Sequence, residues 1–135
     1  GHSLGNIIAR WVVAQQDAPP GIGRMVMLAP PNQGALMANR FAPLAGWLLE
    51  PIDELRNDSS ATVRNIPTPA GIEIGIIAGR DDSTVRLEET HVAGETAHIV
   101  VKGNHTFIMR EPEVHRLTVE FLRTGRFTPP ATVSR

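Results

Sequence analysis

The chain opens on Gly1-His2-Ser3-Leu4-Gly5, a G-x-S-x-G pentapeptide that runs straight into residues 6–16, where Ile7, Ile8, Trp11 and Val12 recur at helical spacing. A serine hydroxyl becomes a nucleophile when a base takes its proton and a donor receives the charge that develops on the attacked carbonyl. A sharp turn into a helix serves both needs. Small residues two before and two after the serine let neighbouring chain pass close, the hydroxyl projects clear, and N–H groups at the helix start face the developing negative charge. In that arrangement the backbone N–H of Leu4 is one oxyanion donor, a contribution of about 3 kcal/mol to transition-state stabilisation. The same pentapeptide also arises as a plain Gly/Ser turn that opens a helix, so the serine alone decides nothing.

The acid and the base are sought in polar loops further on. Gly79-Arg80-Asp81-Asp82-Ser83-Thr84-Val85 follows an apolar run and is a natural place for the carboxylate that orients a histidine. Asp82 is the first choice and Asp81 the alternative; consecutive aspartates after a strand are also ordinary turn formers or helix caps. Lys102-Gly103-Asn104-His105-Thr106-Phe107 follows another apolar run, which puts His105 where a base is expected. The order Ser3, Asp82, His105 is the nucleophile, acid, base order found with a nucleophile elbow. The other histidines lack this context: His98 falls within a strand, His115 on a helix, His91 has no such setting, and His2 points along the elbow.

Three such residues must be carried by elements that end near one another. Residues 25–29, bounded by Gly23 and Pro30-Pro31-Asn32-Gln33-Gly34, form a short continuous apolar run, as expected of a strand buried on both faces. Residues 72–78 and 97–101 read as second and third buried strands. Residues 35–56 carry Phe41, Trp47, Leu48 and Leu49 split by Pro43 and Pro51, which predicts two or three short helices. A polar stretch covers 57–68. Glu111-Pro112-Glu113 opens a last helix that Gly125 can close, and the tail at 128–135 reads as frayed. Helices alternating with buried strands predict an α/β fold with a parallel sheet, its chemistry in the loops after the strands.

Composition narrows the partners. With 135 residues, 41% hydrophobic and 20% charged, the chain has the profile of one globular unit, able to bury about two thirds of its unfolded surface. Thirteen basic and fourteen acidic residues are intermingled, which leaves no basic stripe for nucleic acid. The absence of cysteine removes disulfides, thiolate metal sites and a cysteine nucleophile together. No apolar run approaches the ~20 residues of a membrane helix, so the chain reads as soluble, its compartment open.

GHSLG, VMLAPPNQGA at 26–35 and HIVVKGNHTFIM at 98–109 together resemble a bacterial lipase/esterase-like α/β-hydrolase family, over essentially the whole chain. In that family the acid lies in an Asp-Gly-x-Val loop, with which Asp82-Ser83-Thr84-Val85 aligns; Ser83 stands where the glycine is usual. The resemblance implies Ser3 as nucleophile, His105 as base and Asp82 as the acid that orients it, acting on a small-molecule or lipid ester with no metal or organic cofactor. It also implies that residues 30–34 border the pocket and that 35–56 form a lid or cap.

Because the first residues are already the elbow, the expectation is the C-terminal part of an α/β-hydrolase domain, without the strands that precede the serine or the loop that gives a second oxyanion N–H. Such a piece is expected to be weakly active or inactive alone and to self-associate through an open sheet edge. Two alternatives stand beside the ester hydrolase: an acyltransferase or thioesterase on the same scaffold, and a non-catalytic remnant, to which the Ser83 departure points.

Overall fold

The computed structural model describes residues 1–15, 21–34 and 63–129. In chain order its elements are helix α1 (Leu4–Gln15), strand β1 (Arg24–Leu28), strand β2 (Glu73–Gly79), a 3-10 turn (Leu87–Glu89), strand β3 (Ala97–Val101), a second 3-10 turn (Ile108–Arg110) and helix α2 (Pro112–Thr124). The expected helices at 35–56 and most of the 128–135 tail lie outside the described residues. No helix among the described residues is long and apolar enough to cross a membrane.

The three strands lie side by side in the order β1, β2, β3, all parallel, with Met25 beside Ile74 and Ile76 beside His98. Successive side chains of a strand leave opposite faces. Met27, Ile74 and Ile76 therefore pack with Val13 of α1 on one side, while Val26 and Ile77 pack with Val114, Leu117 and Phe121 of α2 on the other. Helices cover both faces, which is why the strand sequences read as continuous apolar runs and not as alternations. β2 fits this best, buried at every residue except Glu73. β3 departs from the expectation of a buried strand: of its five residues only Val101 is buried, and it stands at the edge of the described sheet.

Local chemistry explains where α2 starts and stops. Pro112 occupies its first turn, where no N–H is needed, and Glu113 places negative charge at its positive end. Gly125, at φ 74°, caps the other end in the left-handed region and donates its N–H to Phe121 O at 2.8 Å. Arg24 of β1 serves the same end, donating to the carbonyls of Leu122 and Arg123 while its Nε pairs with Glu73 at 2.6 Å. Val114, Leu117 and Phe121 form the buried stripe, whereas Val119 and Leu122 are exposed. Gly75 of β2 sets how closely α2 approaches: a Cβ there would stand 2.8 Å from the Phe121 ring.

Boundaries shift from their expected places, and one polar stretch joins the core. α1 begins at Leu4, two residues early, because the chain turns into the helix directly at Ser3. β1 ends at Leu28, since Ala29 has φ 45° and leaves the strand. The stretch 57–68, read as polar, contributes Val63 and Ile66 to a core with Leu4, Ile7 and Val85.

A buried polar network ties these parts together. Arg10 is fully buried on α1; its guanidinium donates to Asn32 Oδ1 at 2.9 Å and to Val63 O, and Asn32 Nδ2 donates to Thr90 O at 2.6 Å. Burial lowers the Arg10 pKa to about 10, which leaves it cationic at neutral pH. Asn32 is buried and joins the loop after β1 to the turn at Thr90.

Candidate active site

Ser3 sits where the chain reverses from β1's edge into α1. Its N–H donates to Leu28 O at 2.9 Å, Leu28 N–H donates to Gly1 O at 2.9 Å, and residue 2 pairs in parallel with Leu28. The backbone of Ser3 is left-handed, with φ 50°, a conformation that costs a non-glycine residue about 1–2 kcal/mol. Asn6 repays part of this. Its Nδ2 donates to Ser3 O at 3.1 Å and Leu28 O at 3.0 Å, and its N–H donates to Ser3 O at 3.1 Å. Gly5 N–H goes to His2 O, whereas the N–H of Leu4, in the first turn of α1, meets no acceptor among the described residues.

His105 arrives from the loop after β3 and Asp82 from the loop after β2. His105 Nε2 lies 2.8 Å from Ser3 Oγ, and His105 Nδ1 lies 2.7 Å from Asp82 Oδ2. The Asp82 side chain is 1% exposed and the His105 side chain 11%, so both bonds are largely screened from water. Burial by itself would raise the Asp82 pKa. The bond from His105, the N–H groups of Val85 and Thr84 and the attraction to His105 outweigh it and hold the carboxyl below its ordinary value. The ionised carboxylate only accepts, so Nδ1 of His105 carries the ring proton and Nε2 of the neutral ring is left to accept the Ser3 hydroxyl proton.

Two loops must come close for this, and backbone makes it possible. A Cβ on Gly79, at the end of β2, would stand 2.6 Å from Gly103 O. That carbonyl accepts the N–H of Asp81 at 3.1 Å, which pins the base loop over the acid loop. Asp81 contributes this backbone bond; its exposed side chain is not the one beside His105.

Of the residues singled out in the sequence, the structure thus brings Ser3, Asp82, His105 and the Leu4 N–H to one place. The sequence reading gives Asn6 and Gly79 no role at the site and sets His2 aside. His2 does not point along the elbow: its Nε2 donates to His105 O at 2.8 Å and its ring lies 5.1 Å from that of His105. A sequence signal existed for Asn6, a polar residue in the helical stripe with Arg10 and Val13; none existed for Gly79 beyond its place at a strand end. The remaining histidines bond elsewhere: His98 with Thr90, His91 with Glu95, and His115 with Met109 O. Among the described residues no group of three or more His, Asp or Glu side chains could hold a metal ion.

No protein-family model matches the chain, and no curated protein sequence matches it. Solved structures do. The acylaminoacyl peptidase of Pyrococcus horikoshii overlays with a TM-score of 0.57 and 15% identity, covering 99% of this chain and 24% of that one. An esterase of Pyrococcus furiosus overlays with a TM-score of 0.52 and 23% identity, covering 93% of this chain and 52% of the esterase. The chain therefore spans about a quarter and about half of the length of these two proteins. At such identities the likeness is one of fold, and the parallel strands with helices on both faces are part of an α/β-hydrolase fold.

Proposed function

We propose that this chain carries the reacting groups of a serine hydrolase acting on carboxylic esters, with Ser3 as nucleophile, His105 as general base and acid, Asp82 as the orienting carboxylate and the Leu4 N–H as one oxyanion donor. The observation that carries the reading is the unbroken run of two hydrogen bonds, 2.8 and 2.7 Å, from Ser3 Oγ through the His105 imidazole to Asp82. Ser3 Oγ attacks the ester carbonyl carbon as His105 Nε2 takes the hydroxyl proton, and the carbonyl oxygen becomes an oxyanion beside the Leu4 N–H. The imidazolium returns that proton to the leaving alkoxide as the C–O bond breaks, leaving an acyl group on Ser3. Water then attacks the acyl carbon as His105 takes one of its protons; the C–Oγ bond breaks, the imidazolium returns that proton to Ser3 Oγ, and the acid leaves. The substrate is a small-molecule or lipid ester.

The test is covalent. A fluorophosphonate probe, followed by intact mass, is expected to add one phosphonyl group to Ser3 and none to Ser3→Ala, with His105→Ala labelling far more slowly. A folded protein that never labels refutes the reading. The substrate panel is p-nitrophenyl esters of rising acyl length and acylated amino-acid amides. Competing alcohol and thiol acceptors in the same assay separate hydrolysis from acyl transfer.

A further inference from the structure

His105 is held from two directions. Its imidazole lies between Asp82 and Ser3, and its backbone carbonyl accepts a bond from His2 Nε2 at 2.8 Å. A carbonyl only accepts, so His2 carries a proton on Nε2. The rings of His2 and His105 stand 5.1 Å apart at an interplanar angle of 44°, so His2 also walls one side of the base.

The two ends of this contact are supported differently. His2 is clamped to the sheet: Leu28 N–H donates to Gly1 O and Ser3 N–H donates to Leu28 O, both at 2.9 Å, with residue 2 bridged to Leu28 between them. The base loop is held to the acid loop at Gly103 O and is folded on itself, with Asn104 Oδ1 accepting Phe107 N–H at 3.0 Å and Asn104 O accepting Ile108 N–H at 3.0 Å. Ser3 and His105 thus belong to separately supported segments that must meet at 2.8 Å. The His2 side chain joins the two within one residue of each reacting group.

We propose that His2 is a positioning residue: its Nε2–H fixes the backbone of His105 against the elbow, and so sets the distance across which the Ser3 proton moves. The inference rests on the reading of Ser3, His105 and Asp82 as a proton relay. Burial favours the uncharged ring, so the positive charge that forms on His105 during attack does not meet a second cation. A base displaced by about 1 Å loses on the order of a hundredfold in rate.

Two variants separate the donor from the bulk of the ring. His2→Gln keeps an N–H donor at comparable reach, and His2→Leu keeps volume and loses the donor. The protein, expressed with every residue its gene encodes, is tested in two ways: the rate of fluorophosphonate labelling of Ser3, resolved into saturation and the bonding step, and the NMR signal of the His105 Nδ1–H. His2→Leu is expected to slow the bonding step by about ten- to hundredfold with saturation unchanged, and to broaden or shift the Nδ1–H signal. His2→Gln is expected to restore both to near wild type. Wild-type bonding and an unmoved signal in His2→Leu overturn the inference, as does a His2→Gln protein no better than His2→Leu. If melting shows that His2→Leu does not fold, His2→Met takes its place as the variant without a donor. A wild type that does not label, with an Nδ1–H signal that moves in the donorless variant and returns in His2→Gln, sinks the hydrolase reading and leaves the positioning contact standing. Labelling in wild type that is indifferent to the donor does the reverse.

Discussion

Replacing Asp82 by asparagine exchanges one carboxylate oxygen for an amide nitrogen, and the surroundings dictate which one. Oδ1 accepts the backbone N–H groups of Thr84 at 2.7 Å and Val85 at 2.8 Å, so the amide oxygen of the variant stays on that side and its NH2 turns toward His105 Nδ1. Two N–H donors cannot share a hydrogen bond. The imidazole therefore moves its proton to Nε2, where it donates to Ser3 Oγ and has no lone pair for the serine proton. For a relay of this kind the loss is about 10⁴-fold in kcat, or about 5 kcal/mol of barrier. The fold suffers little, because both turn bonds survive. The assay is kcat on a p-nitrophenyl ester together with the fluorophosphonate labelling rate, measured for wild type, Asp82→Asn and Asp81→Asn beside their melting temperatures. Asp81→Asn should stay within a few-fold of wild type, since the Asp81 side chain is exposed and its backbone bond to Gly103 O is untouched. A folded Asp82→Asn protein within about tenfold of wild type, or a defect confined to Asp81→Asn, refutes the reasoning.

Three further outcomes follow from the packing and the titrating groups. Phe121→Ala empties the space between α2 and Gly75 and should cost about 3–5 kcal/mol in urea unfolding; a loss under about 1 kcal/mol means that α2 can collapse onto the sheet. Gly79→Ala forces a Cβ to within 2.6 Å of Gly103 O, so labelling of Ser3 should slow while far-UV circular dichroism is unchanged, and full-rate labelling argues against the pinned loop. His98 and His2 hold pKa values below the ordinary 6.5, first through burial and, for His98, next through the neighbouring His91. The folded chain thus binds fewer protons than the unfolded one in this range, so stability is full above pH 6.5 and falls as pH drops through 6.5 toward the folded values. Asp82, held below 3.8, adds a later loss as pH falls through its own folded value. An unfolding midpoint that is flat on crossing pH 6.5 refutes the histidine part.

How much of this was legible beforehand depends on how local each determinant is. The apolar runs that became β1 and β2 could be read because burial on both faces demands an unbroken run, and Gly and Pro mark its ends. α2 announced itself through Pro112, Glu113 and Gly125, which act within a turn of the residues they cap. Asp82 and His105 could be named because each occupies a polar loop just past an apolar segment, and Ser3 because its pentapeptide runs straight into a helical stripe; all three are properties of neighbours in sequence. What the sequence could not supply is every distance between residues far apart in the chain. Ala29 shows no sign of its left-handed backbone until Leu28 is paired with Gly1 and Ser3. Val63 and Ile66 look like two apolar residues in a polar stretch until α1 lies over them. Which of two adjacent aspartates faces His105 turns on the two N–H groups that grip Asp82, and the bond from His2 to His105 exists only because the sheet edge brings the elbow against a loop at the opposite end of the chain. Pattern and punctuation are set by the residues themselves; hydrogen bonds across the sheet are decided by the packing that brings their partners within 3 Å.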